Sequence, residues 1–338
     1  MKFDRASAIA KTLLYEGYNL YPYQAHSIKN QQRWTFGGLL PSSFVDAQNK
    51  GDSDQKCFQT ECLVRGNSLT KISIVIRFLH LIDRTLVKPD GSHIDSIKIE
   101  DRVYYPWEEH LEREVVIPET DLGSINNKET IFPFYFGSTL TCEPLSDSHG
   151  FPVGSILRNQ CAVQGAITLL ATWIQDQTYK LTVQVENKTP FAPVKLEYSQ
   201  LRSLALKHSL ISAHTLLGTD QGEFISLLDP ATELVPFVAD CKNIGTFPVL
   251  AGKAGDHDVM LSSPIILYDY PEIAPESRGD FFDGTEIDEM LILRIQTLTD
   301  EEKTQMRSID EHTRSLLERT ESICPDSNET LQGRLRYE

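Results

Sequence analysis

No stretch of the 338-residue chain stays apolar for the ~20 residues that a membrane helix needs, so no helical membrane span is expected. Asp4, Arg5 and Lys11 interrupt the one apolar pattern near the start. The basic start, unbroken apolar run and small-residue cleavage site of a secretory signal are not present there, and a cytoplasmic location is the expectation. Positive charge is scarce: 32 Lys and Arg stand against 48 Asp and Glu, a net charge of −16. Such a surface repels phosphate backbones and anionic lipid, which argues against nucleic-acid and membrane-surface partners. The six cysteines, Cys57, Cys62, Cys142, Cys161, Cys241 and Cys324, form no CxxC pair. Scattered reduced thiols suit that location better than a disulfide framework or a zinc site. Cys57 and Cys62 lie five apart on one expected strand, so they face opposite ways. Asn187-Lys-Thr189 and Asn328-Glu-Thr330 have the glycosylation pattern, which a cytoplasmic chain does not use.

Motifs of known chemistry are also missing. There is no HExxH helix and no GxSxG elbow. Gly245 to Lys253 has the outline of a phosphate loop, but Phe247 stands where its first glycine belongs and Ala254 replaces the Mg²⁺-binding hydroxyl. Asp280, Asp283, Glu286, Asp288 and Glu289 are dense enough for calcium, yet Phe282 breaks the alternation of ligands. An acidic first helical turn accounts for them better. His208 and His214 fall on an expected strand with even spacing and could share a face, which alone does not make a metal pair. The sequence thus offers no catalytic residue, no metal ligand set and no cofactor motif.

What is present is periodicity. Ala6, Ile9, Ala10, Leu13 and Leu14 make one face of a helix over residues 4–16, with Gly17 placed to end it. Ile72, Ile74, Ile76 and Phe78 alternate as in a strand, and Ile97 and Ile99 mark another, with the turn signal Asp90-Gly91 between them. Val163 to Ile174 and Tyr179 to Glu186 predict a hairpin with Tyr179, Leu181, Val183 and Val185 inward. Leu210 to Leu217 and Glu223 to Leu228, joined by Gly218 to Gly222, predict a second. Further on, Gly284 to Ile295 is a short helix candidate. Thr299-Asp-Glu-Glu302 fits a capping box ahead of an apolar stripe of Met306, Ile309, Leu316 and Leu317.

These elements predict an α+β protein with a β-sandwich-like core, an N-terminal helix and a C-terminal helical arm. The expected segments are 1–46, holding the helix and an aromatic-basic stretch; 47–296, the β-rich core; 297–321, the C-terminal helix; and 322–338, a disordered tail.

The stretch from Tyr18 to Gly38 stands apart. It is rich in Tyr, Trp, Lys, Arg and Asn and has no clean period. Residues 1–36 carry Lys2, Arg5, Lys11, Lys29 and Arg33 against Asp4 and Glu16, a local positive balance in an acidic chain. Arginine beside Trp and Tyr suits stacking on a partner or ligand, which marks Tyr21, Lys29, Asn30, Arg33 and Trp34 as candidate binding residues. The other reading is a cap whose aromatics pack on the sheet, with Arg33 paired to a carboxylate at its edge.

Several strings resemble an uncharacterised protein family encoded beside [NiFe]-hydrogenase genes of the actinobacterial, high-affinity type. They are Leu14 to Tyr18, Leu20 to Tyr23, Lys29-Asn30, Arg33 to Gly37, Gln59 to Cys62, Asp258 to Pro264, Asp283 to Met290 and Leu298 to Glu302. The resemblance implies an accessory protein that supports assembly or maturation of a [NiFe] hydrogenase, with hydrogenase subunits or other maturation proteins as partners. It carries over no catalytic residue. An acidic chain poor in motifs suits a binding protein more than a catalyst. The alternative expectation is an enzyme or ligand-binding protein with a pocket around the Lys29/Arg33 segment, to which Glu61 would contribute.

Overall fold

The computed structural model describes residues 3–15, 37–47, 54–100, 102–192 and 196–272, together with Lys303, Arg314, Leu317 and Glu318. The chain opens with α1 (Asp4–Tyr15) and a short helix α2 (Ser42–Asp46). Strands follow: β1 (Cys57–Arg65), β2 (Lys71–Val87), β3 (Ile97–Ile99), β4 (Arg102–Tyr104) and β5 (Trp107–Asp121). Next come β6 (Thr130–Phe136), β7 (Thr139–Ser146), β8 (Pro152–Gln160), β9 (Val163–Gln175) and β10 (Thr178–Asn187). Helix α3 (Tyr198–Leu206) precedes β11 (Ile211–Asp220) and β12 (Glu223–Phe224). Helix α4 (Val235–Ala239) precedes β13 (Phe247–Leu250) and β14 (Val259–Ser263).

Two antiparallel sheets stack face to face, as the strand periodicity predicts. One runs β12-β1-β10-β9-β6. The other runs β13-β14-β11-β2, and from β2 it continues to β8 and β7. β2 is the spine of the second sheet. It pairs with β5 from Lys71 to Arg84, with β11 from Lys71 to Leu79, and with β8 from Asp83 to Val87. Asp83 and Arg84 pair with β5 and β8 at once, so β8 lies on the β11 side and β5 forms the other edge.

Between the sheets lie Phe58, Cys62 and Val64 of β1; Ile72, Ile74, Ile76 and Phe78 of β2; Ile167 and Leu169 of β9; and Tyr179, Leu181, Val183 and Val185 of β10. These are the residues whose alternation marks the strands. On the β1–β14 side a buried hydroxyl relay ties the layers: Thr60 Oγ1 lies 2.7 Å from Ser262 Oγ and 3.2 Å from Thr246 Oγ1. Helix α1 lies on the outer face of the second sheet. Ala6, Ile9, Ala10 and Leu13 pack on Leu216, Val259 and Leu261, and Leu14 meets Leu79, Phe44 and Leu206. The turn between β9 and β10 is two residues, Asp176 and Gln177, both at positive φ, the twist that matches a tight hairpin. The turn at Asp90-Gly91 is also present, with Gly91 at φ 85°.

Other expectations give way. β11 and β12 do not form a hairpin. β11 joins the second sheet, while Phe224 of β12 pairs with Val64 of β1 in the first, so the Gly218–Gly222 region carries the chain from one layer to the other. His208 and His214 share no strand: His208 follows α3 in a turn, and His214 is on β11. The Gly245–Lys253 stretch, in which the sequence already lacks the residues of a phosphate loop, holds β13, paired along its length with β14. The aromatic-basic residues Tyr21, Lys29, Asn30, Arg33 and Trp34, the helix candidate over residues 284–295 and the tail over 322–338 lie outside the described residues. Lys303, Arg314, Leu317 and Glu318 are helical, and Leu317 is buried.

Candidate functional site

The inner face of β2 runs through three surroundings. Near its start the first sheet covers it. At its far end the β3–β4 hairpin covers Leu86, Ile156 and Leu145 with Ile97 and Ile99. Between the two covers the inward positions turn polar. His80 and Arg84 of β2 follow Phe78. Arg113 of β5 pairs opposite Phe78, and Leu111 opposite His80. Arg158 of β8 pairs opposite Arg84, and Gln160 comes two residues later on the same face. Leu111 is 42% exposed, so this stretch reaches solvent at the β5 edge.

One part of the stretch is a closed ion-pair network. Arg84 Nη1 donates to Glu109 Oε1 at 2.9 Å, and Arg158 Nε donates to Glu109 Oε2 at 2.7 Å. Arg158 Nη1 reaches Glu143 Oε2 at 2.6 Å. Arg84 also donates from Nε and Nη2 to the Tyr105 carbonyl, at 3.2 and 2.9 Å, which fixes the chain leaving β4. Glu109 joins two arginines on neighbouring strands, and every charge in the set is matched.

The other part is not closed. Arg113 Nη2 donates to Gln160 Oε1 at 3.1 Å, and its guanidinium stacks on Phe136 with Cζ 4.7 Å from the ring centre. Arg113 Nε and Gln160 Nε2 are buried and meet no acceptor among the described residues. His80, fully buried, bonds through Nε2 to the Cys161 carbonyl at 2.8 Å, and its Nδ1 has no partner among the described residues. A carbonyl only accepts, so Nε2 carries the proton and Nδ1 presents a lone pair. Burial lowers the His80 pKa to about 4. The Cys161 carbonyl opposes that shift, and the Arg113 and His208 charges add to it, so the ring is neutral at physiological pH. His208 repeats the pattern, bonding the next carbonyl, Ala162, with its pKa lowered mainly by burial. Burial also pushes the Cys161 thiol up, with Lys207 opposing and Asp83 reinforcing, so it is no thiolate nucleophile.

Glu61 sits elsewhere, on the outer face of the first sheet. Its Oε1 accepts from Thr182 at 3.1 Å and its Oε2 from the Lys242 amide at 2.7 Å, with Lys180 at 3.7 Å. Its backbone exchanges hydrogen bonds with the Asn243 side chain. The carboxylate is occupied in holding the loop after α4 onto β1. Cys57 is half-buried and Cys62 fully buried, and five of the cysteines are free thiols in the described residues. His214 is fully buried with its pKa lowered to about 4 by burial, the Ser212 carbonyl opposing. Among the described residues no three His, Cys, Asp or Glu side chains gather as a metal site would require.

Sequence reading passed over Arg113, Gln160 and His80. The available signal was charge inside an apolar strand: Arg77, His80, Asp83 and Arg84 interrupt β2, which a fully covered strand does not tolerate. Comparison of the chain with protein-family models and with curated proteins gives no match.

Proposed function

We propose that this chain is a binding protein that works through protein–protein contacts, as an accessory factor in assembly or maturation of a [NiFe] hydrogenase. The observation that carries the binding class is β6. It is an edge strand, paired only with β9 among the described residues, and Thr130 to Phe136 contains no charged side chain. Phe132, Phe134 and Phe136 pack inward, while Ile131 is 57% and Tyr135 66% exposed. Soluble proteins usually guard such an edge with charge. Here the only guard is Pro133, so a partner strand can pair alongside and place side chains against Ile131 and Tyr135. The hydrogenase assignment is supported by the sequence strings from Leu14 to Gly37 and from Asp283 to Glu302, and the Tyr21–Trp34 segment supplies a second contact in this reading.

The test is co-purification of hydrogenase subunits with the tagged protein from its native host, together with hydrogen uptake. The double variant Ile131→Lys/Tyr135→Glu, and separately Arg33→Ala/Trp34→Ala, should lose both while melting like wild type. Normal hydrogen uptake in a strain lacking the protein would remove the hydrogenase assignment. Retained co-purification by the folded β6 variant would remove β6 as the contact.

A further inference from the structure

The other arginines of this sheet hold carboxylates: Arg77 holds Glu112, and Arg84 and Arg158 hold Glu109. Arg113 departs from this pattern in a chain of net charge −16. Its contacts are an amide oxygen and an aromatic ring, and no carboxylate pairs with it among the described residues. Gln160 is 2% exposed and cannot turn its amide over, because that would set its NH2 against the guanidinium, donor to donor. Gln160 Nε2 and Arg113 Nε are therefore both N–H donors fixed in place, buried and without an acceptor among the described residues. Burying two such donors beside a positive charge is costly unless an acceptor arrives.

We propose that Arg113 and Gln160, beside His80, form a binding site for a single carboxylate group. One carboxylate oxygen accepts from Arg113 Nε and the other from Gln160 Nε2. Its charge neutralises the guanidinium, and Phe136 and Leu111 offer apolar surface to whatever carries it. A monoanion suits the site better than a phosphate dianion, since there is one unpaired cation and Glu109 lies on the same strand. The ligand approaches over the exposed Leu111 side, which the first sheet leaves open. This reading is independent of the hydrogenase assignment.

The chemistry fits a small organic acid or the carboxylate at the end of a partner's chain, and titrations on the purified full chain separate the two. Acetate reads the bare group. A short apolar peptide, as free acid and as C-terminal amide, reads the chain end. The His80 imidazole resonances report on the site, with chloride at matched ionic strength as reference. Acetate should shift them saturably with a dissociation constant on the order of millimolar, as suits so small a ligand. Arg113→Met keeps the packing on Phe136 and should weaken the response about tenfold or more; Arg113→Lys, which keeps charge without the fork, should weaken it less. Free-acid peptide binding tighter than acetate, with the amide silent, assigns the site to a chain end. Acetate and peptide acid binding equally assigns it to a small acid. No saturable shift would mean that water satisfies these donors and would overturn the proposal. A shift equal to that of chloride, or unchanged in folded Arg113→Met, would overturn it too, as would phosphate binding more tightly than acetate.

Discussion

Asn187 offers the sharpest test of how the two sheets are joined. Its side chain is fully buried at the end of β10. Nδ2 donates to the Leu39 carbonyl at 2.7 Å and to the His208 carbonyl at 2.9 Å, while Oδ1 accepts from the Thr189 amide at 2.9 Å. Three segments distant in sequence thus meet on one amide. In Asn187→Ala the Leu39 carbonyl keeps a bond from the Leu210 amide. The Thr189 amide and the His208 carbonyl are left without that partner in a dry site. At about 1–3 kcal/mol for each of the two stranded groups, the expected loss is about 2–6 kcal/mol. Asn187→Asp should be at least as harmful near neutral pH, because a carboxylate oxygen would then face two carbonyls, and the damage should ease as the acid protonates. Urea unfolding of the three proteins at pH 7 and pH 5 measures both effects. A loss below about 1 kcal/mol for Asn187→Ala would refute the reasoning, since it would mean that water or a rearranged turn serves these groups. The same geometry keeps Asn187 out of reach of glycosylation in the folded chain, whatever its sequence pattern.

Ile9→Asp places a charge where α1 meets β11 and β14 and should lower stability by ~3 kcal/mol or more, read as a clear drop in melting temperature. Gly165→Ala should also destabilise, by about 1–3 kcal/mol, because an added Cβ would stand 2.4 Å from Phe134 Cζ and 2.5 Å from the Glu186 carbonyl oxygen; an unchanged melting temperature would show that β6 moves aside freely. His214, lowered to about 4, takes up its proton later in the folded than in the unfolded chain, so its contribution is complete above pH ~6.5 and is lost as the pH falls toward ~4. His214→Gln should therefore show a smaller fall in urea-unfolding stability between pH 7 and pH 4.5 than wild type, and an equal fall would refute the assignment.

The parts of the fold legible in sequence were those with one wet and one dry face. α1 displays its buried stripe at helical spacing, and β10 alternates without a fault from Tyr179 to Val185. β5 hides itself because Trp107, Glu109, Leu111 and Arg113 mix charge with apolar residues on one face while Glu108, His110 and Glu112 make the other wholly polar: it is an edge strand running alongside the polar stretch of β2. The β11–β12 turn misled for another reason. Its glycines announce a reversal of direction, but whether the next strand stays in the same sheet depends on Phe224 finding Val64, a pairing far away in sequence. The same limit hid the candidate site. Arg113, Gln160 and His80 are unremarkable singly, and the register of β5 and β8 against β2 alone brings them onto one face.

That register follows from the length of β2. Its 17 residues extend roughly 55 Å at ~3.3 Å each, more than the partners that cover its inner face can span. The first sheet covers the near end and the β3–β4 hairpin the far end, so the middle must be capped by side chains alone. An apolar middle would leave an exposed greasy patch at the β5 edge. A charged middle is tolerable only if its charges are matched, because Arg84, 4% exposed, would be costly alone. Glu109 and the Tyr105 carbonyl satisfy Arg84, and Glu109 with Glu143 satisfies Arg158. The same condition applied one step nearer the core falls on Arg113, where Gln160 supplies one acceptor for several donors. The polar stretch is therefore complete at its far half and short of one anion at its near half, and that asymmetry singles out Arg113 among the arginines of the sheet.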